Sequence, residues 1–235
     1  MTGLTEETRR LLAQTSTATL ATQLFKRGLR NTFLLGVSRL NHDPGPVMVG
    51  EAYTLRYIPA REDLNGPGEY GDRHPQRRAI EECPPGAVLV ADCRRDVSAA
   101  SGGDILMTRL AERGVGGMVT DGGMRDVANI AKLAMPVYIG APSAPASFHR
   151  HAAVDANVPI ACGGVPVYPG DVMVGDPDGV VVIPRHLADE IAGDAAEQEL
   201  LETWILGEVR GGKGIFGLYP PDDETRARYD AFRRS

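Results

Sequence analysis

Strand-like and helix-like patterns alternate along the middle of the chain, and this alternation limits the fold more than any other feature. Short apolar runs typical of buried strands cover 84–93, 115–122 and 136–140. Between them, 102–114 and 126–133 have the composition of helices that begin at glycine- and aspartate-rich turns. Such alternation is typical of an α/β domain, in which helices cover a sheet with parallel strands.

The stretch 158–184 has a different pattern, because short strand-like runs follow one another without a helix between them. Pro-Gly-Asp and Asp-Pro-Asp-Gly separate these runs, and both are turn formers. Turn formation is therefore the preferred explanation for the aspartates of this stretch. The strands are expected to form a second sheet or to extend the first, which gives an α/β layered fold with a mixed sheet.

Helices and loops flank this central region. Residues 5–28 are predicted to form one helix with Thr5 as its N-cap,. Further predictions are a strand over 46–59, a charged Gly/Pro-rich loop over 61–75, a short helix over 76–82 and a long helix over 186–210. The sequence has no internal repeat or low-complexity linker, so residues 1–235 are expected to form a single domain, with the C-terminal helix and an irregular tail beginning at about 186.

Composition and charge exclude several function classes. The formal net charge of −6 leaves no overall basic surface for nucleic acid or an anionic membrane,. No apolar stretch approaches the ~20 residues of a membrane-spanning helix. The polar N-terminus does not resemble a signal peptide, and three scattered cysteines do not suggest a disulfide framework,. A cytoplasmic location is therefore expected, without nucleic-acid or membrane partners.

The sequence SGGDIL, residues 101–106, links the strand ending near Asp92 to a helix. Glycines at such a junction let the backbone approach a ligand closely. The unpaired N–H groups of a helix N-terminus favour an anion. The alternative is a plain connection in which Ser101 or Asp104 caps the helix, and the local sequence alone favours that alternative slightly.

The sequence TDGGMRD, residues 120–126, occupies a second strand-to-helix junction. Two neighbouring junctions of this kind meet at one edge of a sheet, where α/β proteins commonly bind ligands. Arg125 offers a planar fork suited to a carboxylate, and Asp126 is an oxygen ligand suited to Mg²⁺ or Mn²⁺. Asp121 is a candidate for capping or for supporting these residues. The alternative is a capped helix start with an exposed Arg–Asp ion pair.

Other chemistry-bearing residues lack partners in the sequence. His149 and His151 have the spacing of metal ligands on one face of a strand, but without a third ligand a solvated loop is preferred,. Cys93 and Cys162 have no neighbouring base, so inert buried thiols are expected.

Two runs together resemble a known family. They are GGDILMTRLAERGVGGMVTDGGMRDV at 102–127 and CGGVPVYPGDVMVGDPDGVVVIP at 162–184. The chain is similar over about residues 15–210 to the 4-hydroxy-4-methyl-2-oxoglutarate/4-carboxy-4-hydroxy-2-oxoadipate aldolases, a family shared with the A-type regulators of ribonuclease E activity. The resemblance implies a β/β/α sandwich like that of swivelling domains, and trimers or hexamers with active sites between subunits.

The resemblance also implies roles for individual residues. Backbone amides at the helix start would bind the carboxylate of a pyruvoyl group, at Gly103, Asp104, Ile105 and Leu106. Arg125 would bind the oxo acid and stabilise its enolate, and Asp126 would hold Mg²⁺, Mn²⁺ or another divalent cation. A glutamate of a neighbouring subunit's C-terminal helix would complete the water shell of the metal, with Glu197, Glu199 and Glu202 as candidates.

The activity implied is that of a metal-dependent (class II) lyase. It would cleave a 4-hydroxy-2-oxo acid to pyruvate and a second carbonyl acid, with oxaloacetate decarboxylation as a side activity. Six further residues are candidates for contacts with the rest of the substrate. They lie in the charged 61–78 loop and just before residues 101–106, which we call the anion loop: Arg61, Arg73, His74, Arg77, Arg94 and Arg95. The alternative for both groups is a solvated loop.

Two alternatives to this lyase remain open. One is a non-catalytic regulator that binds a ribonuclease, which would not need a metal-binding aspartate. The other is a related lyase or hydratase that acts on another 2-oxo or sugar acid. The intact Arg125–Asp126 pair and the glutamates of the C-terminal helix favour the aldolase.

Overall fold

The computed structural model describes residues 3–41, 47–66, 68 and 71–234. Seven helices are found in this part of the chain: α1 (Glu6–Leu12), α2 (Thr17–Lys26), α3 (Pro75–Glu82), α4 (Asp104–Glu112), α5 (Val127–Ile130), α6 (Ala188–Arg210) and α7 (Asp223–Arg234). None of them is both long and apolar enough to span a membrane.

Twelve strands are found in the same residues. They are β1 (Ser38–Arg39), β2 (Met48–Pro59), β3 (Val88–Asp92), β4 (Gly117–Thr120), β5 (Gly123–Met124), β6 (Val137–Ile139), β7 (Ala141–Pro142), β8 (His151–Ala156), β9 (Ile160–Cys162), β10 (Val165–Val167), β11 (Val172–Asp176) and β12 (Gly179–Ile183).

The main sheet is mixed, as predicted. It has eight strands: seven follow the order β1-β6-β4-β3-β2-β11-β12, and the eighth, β8, pairs with the second half of β2. The pairs from β2 through β3 and β4 to β6 are parallel, whereas the pairs with β1, β8, β11 and β12 are antiparallel. The chain before β1 bonds to β12, through Leu34 N to Val180 O at 2.9 Å, so one segment reaches both edges and nearly closes the sheet.

The β9–β10 hairpin and the helices form layers on the two faces of this sheet. Strand β3 shows why, because its side chains alternate between the faces. Val88 and Val90 pack in the cluster that contains the hairpin, whereas Leu89 and Ala91 pack in the cluster with α3 and α4. All four side chains are buried, so residues 88–91 form a continuous apolar run,. The expected β/β/α sandwich is therefore confirmed.

The N-terminal region departs from its predicted single helix. The chain forms α1 and α2 instead, with a break before Ser16. Thr5 caps α1 as predicted, and Ser16 caps α2 by accepting from Thr19 N at 3.1 Å. A serine N-cap has extended backbone, so it ends the preceding helical path and starts a new one.

The prediction of an irregular C-terminal tail was wrong in part, because α7 follows α6. Its sequence is polar overall, and only Thr225 and Tyr229 are buried in it. Asp222 supplies a cap, since its carboxylate accepts from Thr225 N at 2.8 Å. The rings of Tyr229 and Phe232 pack at 5.5 and 6.4 Å from the ring of Trp204 on α6. Packing on α6 therefore stabilises a helix that its sequence alone would not.

The other predicted elements are confirmed, most of them with shorter bounds, whereas α3 begins one residue earlier than predicted, at Pro75. The Pro-Gly-Asp turn precedes β11 and the Asp-Pro-Asp-Gly turn joins β11 to β12, so these strands extend the main sheet. Residue 46 of the predicted strand 46–59, and residues 67, 69 and 70 of the predicted loop, lie outside the described residues.

Gly50 in β2 is needed because two parts of the backbone approach each other there. A Cβ at this position would lie 2.5 Å from the carbonyl oxygen of Gly86 and 2.9 Å from a methyl carbon of Val88. Backbone cannot swing away as a flexible side chain can. We expect Gly50→Ala to lower the free energy of unfolding by about 1–3 kcal/mol.

Urea unfolding followed by circular dichroism measures this effect. Gly207→Ala is the matched control, since a Cβ at Gly207 in α6 meets nothing within 4 Å. The control should be neutral or slightly stabilising. Equal stability of both variants would contradict the packing described for Gly50.

Candidate functional site

The two predicted strand-to-helix junctions lie together at one edge of the sheet. Ser101 N donates to Gly123 O at 2.7 Å, and Arg125 N donates to Gly102 O at 3.2 Å. The Ser101 hydroxyl adds a bond to Gly123 O at 2.9 Å. Because β3 and β4 are parallel neighbours, their carboxyl ends reach the same edge, and these bonds then fix one junction to the other,.

The N-terminus of α4 forms one wall of the site. Gly103 is the N-cap of α4 and has an extended backbone. No side chain caps this helix start. The first amides of a helix have no partner within the helix, so those that begin at Asp104 can bind an acceptor oxygen. The Asp104 carboxylate accepts from Asn129 Nδ2 at 2.8 Å, which holds it toward α5.

Asp126 has an uncommon backbone conformation. Its φ of 57° lies in the left-handed region, which aspartate tolerates better than most residues,. It is the N-cap of α5, but its side chain makes no capping hydrogen bond there. Instead its Oδ2 lies 3.4 Å from Asp104 N and 3.4 Å from Arg125 Nε. The carboxylate is thus turned from its own helix toward the start of α4.

This arrangement leaves Asp126 able to bind a cation. Its side chain is 41% exposed, so one face of the carboxylate meets solvent. A hard divalent cation such as Mg²⁺ commonly takes one or two protein carboxylates and keeps several waters. Among the described residues there is no group of three or more His, Cys, Asp or Glu side chains that could hold a metal alone. A metal bound to Asp126 would therefore need further ligands from water, substrate or another subunit.

A cavity of about 390 Å³ opens beside these residues, and we refer to it as the main cavity because the anion loop lines it; an adjoining groove beside α3 and α4 is larger, at about 500 Å³. Its volume is in the range usual for small-molecule sites. It is lined by Gln76, Arg77, Ala100, Gly102, Gly103, Asp104, Ile105, Leu106, Arg125, Ala146, Ser147 and Phe148. Asp126 lines a neighbouring cavity of about 340 Å³, and Arg125 lines both. All four predicted anion-loop residues therefore reach the main cavity, with Arg125 between it and Asp126.

Asp121 has a structural role close to the site. It is 2% exposed, and its carboxylate accepts from the backbone N–H groups of Cys93, Arg95 and Gly163 at 2.7, 3.1 and 3.1 Å. Burial raises the pKa of Asp121, although these N–H groups oppose the rise. Asp121 thus ties the end of β4 to the loop after β3 and to the β9–β10 hairpin. This is the supporting function that the sequence suggested.

The C-terminal glutamates have partners in their own chain. Glu199 accepts from Ser16 N at 3.0 Å and from the Ser16 hydroxyl at 2.8 Å, which joins α6 to the start of α2. Glu197 pairs with Arg233, and Glu202 accepts from Gln198 at 2.8 Å. Their contribution to a neighbouring subunit's site stays a prediction.

His151 was expected in a solvated loop, and that expectation was wrong. It begins β8 and is 2% exposed, with Nε2 at 3.2 Å from Ala99 O and its ring 5.8 Å from that of Tyr57. Burial lowers its pKa, so the neutral form is favoured. The sequence of β8, HAAVDA, is rich in alanine, so it lacks the clear alternation of large apolar and polar residues that would predict a strand. His149, by contrast, is exposed in the turn before β8.

The cysteines are buried free thiols, as expected. Burial raises the pKa of Cys93 to about 12, so this thiol is un-ionised near neutral pH,.

Of the charged residues proposed to contact the rest of the substrate, Arg77 lines the main cavity. The others among the described residues do not: Arg61, Arg73, His74, Arg94 and Arg95. Arg61 pairs with Asp63 at 2.7 Å, and Arg95 donates to Gly163 O at 2.6 Å. Gln76 and Phe148 also line this cavity and were not singled out, because neither residue has a recognisable motif.

Comparison with known proteins identifies the family. Residues 17–182 match the RraA-like family, described as Aldolase/RraA, and this chain belongs to it. A protein of Halalkalibacterium halodurans named "Putative 4-hydroxy-4-methyl-2-oxoglutarate aldolase" is 36% identical over 151 residues, which cover 62% of this chain and 71% of that protein.

Solved structures agree on the fold. Streptomyces coelicolor RraAS2, titled an unusual member of the RNase ES inhibitor RraA protein family, aligns with a TM-score of 0.76 and 31% identity over 87% of this chain and 98% of its own. An uncharacterized Pseudomonas syringae pv. tomato protein aligns with a TM-score of 0.79 and 25% identity, over 93% of this chain and 100% of its own.

Gly103 leaves the space in which Arg125 and Asp126 lie. A Cβ there would be 2.6 Å from Asp126 Oδ2 and 3.0 Å from Arg125 Nε. Both atoms belong to flexible, part-exposed side chains, so we expect Gly103→Ala to fold with a stability change under about 1 kcal/mol,. The displaced side chains should weaken binding of pyruvate about tenfold.

Isothermal titration calorimetry with pyruvate and Mg²⁺ measures this change. Gly193→Ala is the control, because a Cβ at Gly193 in α6 meets nothing within 4 Å. Unchanged pyruvate affinity in Gly103→Ala would argue against a ligand at the start of α4.

Glu199 provides a test of the contact between α6 and α2. Burial opposes its ionisation, but hydrogen bonds from Ser16 and Thr19 outweigh burial and lower its pKa. A lowered folded-state pKa stabilises the fold above the ordinary glutamate range, and this stability is lost as the pH falls through that range. We expect Glu199→Gln to lower the free energy of unfolding by about 1 kcal/mol at pH 7, and by less at pH 4.

Urea unfolding at both pH values measures the effect. Glu202→Gln is the control, since the amide oxygen can still accept from Gln198. If Glu199→Gln instead kept full stability and lost activity, its main role would lie in a neighbouring subunit's site.

Proposed function

We propose that this protein is a divalent-metal-dependent aldolase, which cleaves a 4-hydroxy-2-oxo acid to pyruvate and a second carbonyl acid. The observation that carries the proposal is the position of Arg125 and Asp126 at the open start of α4, where Oδ2 of Asp126 lies 3.4 Å from Asp104 N. The aldolase name of a relative that is 36% identical supports the same activity.

The first amides of α4 and the Arg125 guanidinium would bind the oxo acid. The carboxylate of the pyruvoyl group would accept from amides in the run Gly103–Leu106, where the helix dipole also favours an anion. Arg125 would donate to the C2 oxygen. Since cleavage places negative charge on that oxygen, a guanidinium fixed beside it stabilises the transition state more than the substrate.

Asp126 would hold the divalent cation. Its exposed carboxylate is the hard oxygen ligand that Mg²⁺ or Mn²⁺ prefers, and it is adjacent to the residue that would bind the oxo group,. When bound, the cation would supply Lewis acidity at the C2 oxygen.

The bonds changed by cleavage are simple to account for. The C4 hydroxyl loses its proton and becomes a carbonyl as the C3–C4 bond breaks. The electron pair of that bond moves to C2–C3, which gives the enolate of pyruvate, and a proton then adds at C3. Oxaloacetate would give the same enolate by loss of CO₂, so decarboxylation is an expected side activity.

A Schiff base is not favoured as the electron sink. The lysines of the chain are Lys26, Lys132 and Lys213, and none of them lines the main cavity as far as its described residues go. Charge stabilisation by Arg125 and a cation therefore suits these residues better than covalent catalysis by an amine.

A second candidate function is that of a protein-binding ribonuclease regulator. The 31% identity to Streptomyces coelicolor RraAS2, over 98% of that chain, supports it. A regulator would not require the Asp126 carboxylate, so the same experiment separates the two functions.

Pyruvate release, coupled to lactate dehydrogenase, tests the aldolase. We expect turnover of 4-hydroxy-4-methyl-2-oxoglutarate and of oxaloacetate with Mg²⁺, and loss of turnover with EDTA. Asp126→Asn keeps a residue that tolerates the left-handed conformation but removes the charge. Its activity should fall about 100-fold or more, because several kcal/mol of charge stabilisation are lost.

Asp155→Asn is the control, since Asp155 is an exposed partner of Arg56 away from the main cavity. It should keep wild-type activity. No turnover above background by the metal-supplied wild-type protein would refute the aldolase for these substrates and favour the regulator.

A further inference from the structure

The main cavity has a wall that the proposed chemistry does not use. Arg125 and the start of α4 account for the pyruvoyl half of a substrate. The remaining wall is built by Gln76 and Arg77 at the start of α3 and by Ser147 and Phe148 in the 3₁₀ turn Ser147–His149. A substrate that extends beyond its pyruvoyl half can meet these residues.

The start of α3 is fixed to the anion loop. Gln76 is 4% exposed, and its Nε2 donates to Ser101 O at 2.6 Å. The Tyr57 hydroxyl donates to the same oxygen at 3.3 Å. Gly102 and Gly103, which follow Ser101, line the main cavity. The two bonds to Ser101 O therefore fix the first turn of α3 beside this cavity.

The burial pattern of α3 then places Arg77. Gln76, Ala79 and Ile80 are buried, with the spacing of one helix face that packs on the core,. Arg77 is exposed beside this face and lines the main cavity. Its position thus follows from the packing of α3 rather than from the conformation of a loose loop.

The charges of the main cavity suit a dianion. Arg77 and Arg125 are the arginines of its lining, and Asp104 is the acidic residue, with its carboxylate held by Asn129. The α4 N-terminus adds partial positive charge beside Arg125. The cavity therefore offers two cationic positions on two different elements, and a guanidinium is well suited to a carboxylate.

Neighbouring arginines do not compete for this role. Arg78 and Arg109 line an adjoining groove, which Arg77 also lines, but neither of them lines the main cavity.

We infer that Arg77 is a specificity-determining residue, which binds a second carboxylate on the C4 side of the substrate. This inference rests on the proposed function and adds to it the residue that selects dicarboxylates over monocarboxylates. Bonding changes stay at C3 and C4, so Arg77 contributes to binding and not to the electron sink.

The test compares a diacid with a monoacid. Values of kcat/KM are measured for 4-hydroxy-4-methyl-2-oxoglutarate and for 4-hydroxy-2-oxopentanoate, which lacks the second carboxylate. Arg77→Gln should lower kcat/KM for the diacid about 10- to 100-fold, mainly through KM, as expected for loss of a charge-assisted hydrogen bond. For the monoacid the change should stay within about twofold.

Two further variants exclude a merely structural effect. Arg77→Lys keeps the charge and should restore part of the preference for the diacid. Arg78→Gln removes the adjacent arginine, which is paired with Glu82, and should leave the preference unchanged. If Arg77→Gln lowered kcat/KM equally for both substrates, or for neither, the inference would be overturned while the aldolase stood.

Failure of the proposed function gives a different result. If the wild-type protein cleaves neither substrate, calorimetric titration with 2-oxoglutarate and with 2-oxobutanoate, in Mg²⁺, decides the inference. Tighter binding of 2-oxoglutarate that is lost in Arg77→Gln would retain Arg77 as a carboxylate-binding residue. Equal binding of both acids, or no binding, would overturn the inference.

Discussion

The buried carboxylate of Asp121 is the interaction on which the site region depends. Three backbone N–H groups, from Cys93, Arg95 and Gly163, converge on it. These groups belong to the loop after β3 and to the β9–β10 hairpin, which are far apart along the chain. An unpaired buried carboxylate would be costly, so this side chain and its three donors stabilise one another in a single arrangement. The ends of β3 and β4 are thereby held beside the hairpin layer.

The candidate site lies at this edge of the sheet and consists of a few residues in the two strand-to-helix junctions. Gly103 supplies space, Arg125 supplies a guanidinium and Asp126 supplies an exposed carboxylate, all within the two junctions. The left-handed conformation of Asp126 has an energetic cost, and the packing of the junctions maintains it,. The carboxylate of Asp126 points to the neighbouring helix α4 instead of capping α5, and this distinguishes the junction from an ordinary helix start.

Local sequence was sufficient to predict most elements and the meeting of the two strand-to-helix junctions at one edge of the sheet. Alternation of patterns predicted β3, β4 and β6 with their helices, and Asp-Pro-Asp-Gly predicted the turn of the β11–β12 hairpin. The break at Ser16, the helix α7 and the burial of His151 were not predicted. Each depends on a contact with a distant residue: Ser16 with Glu199, Tyr229 with Trp204, and His151 with Ala99. Tertiary contacts of this kind override weak local preferences.

The sequence by itself determined which residues stand at the two strand-to-helix junctions, because parallel strands of one sheet must end at a common edge. It also determined that an arginine and an aspartate are adjacent there. Only the tertiary structure decided which further charged residue reaches the cavity. Six charged residues were candidates, and Arg77 lines it because Gln76 bonds to Ser101 O across 25 residues of chain. No local pattern encodes such a contact, since it exists only when α3 packs against the core.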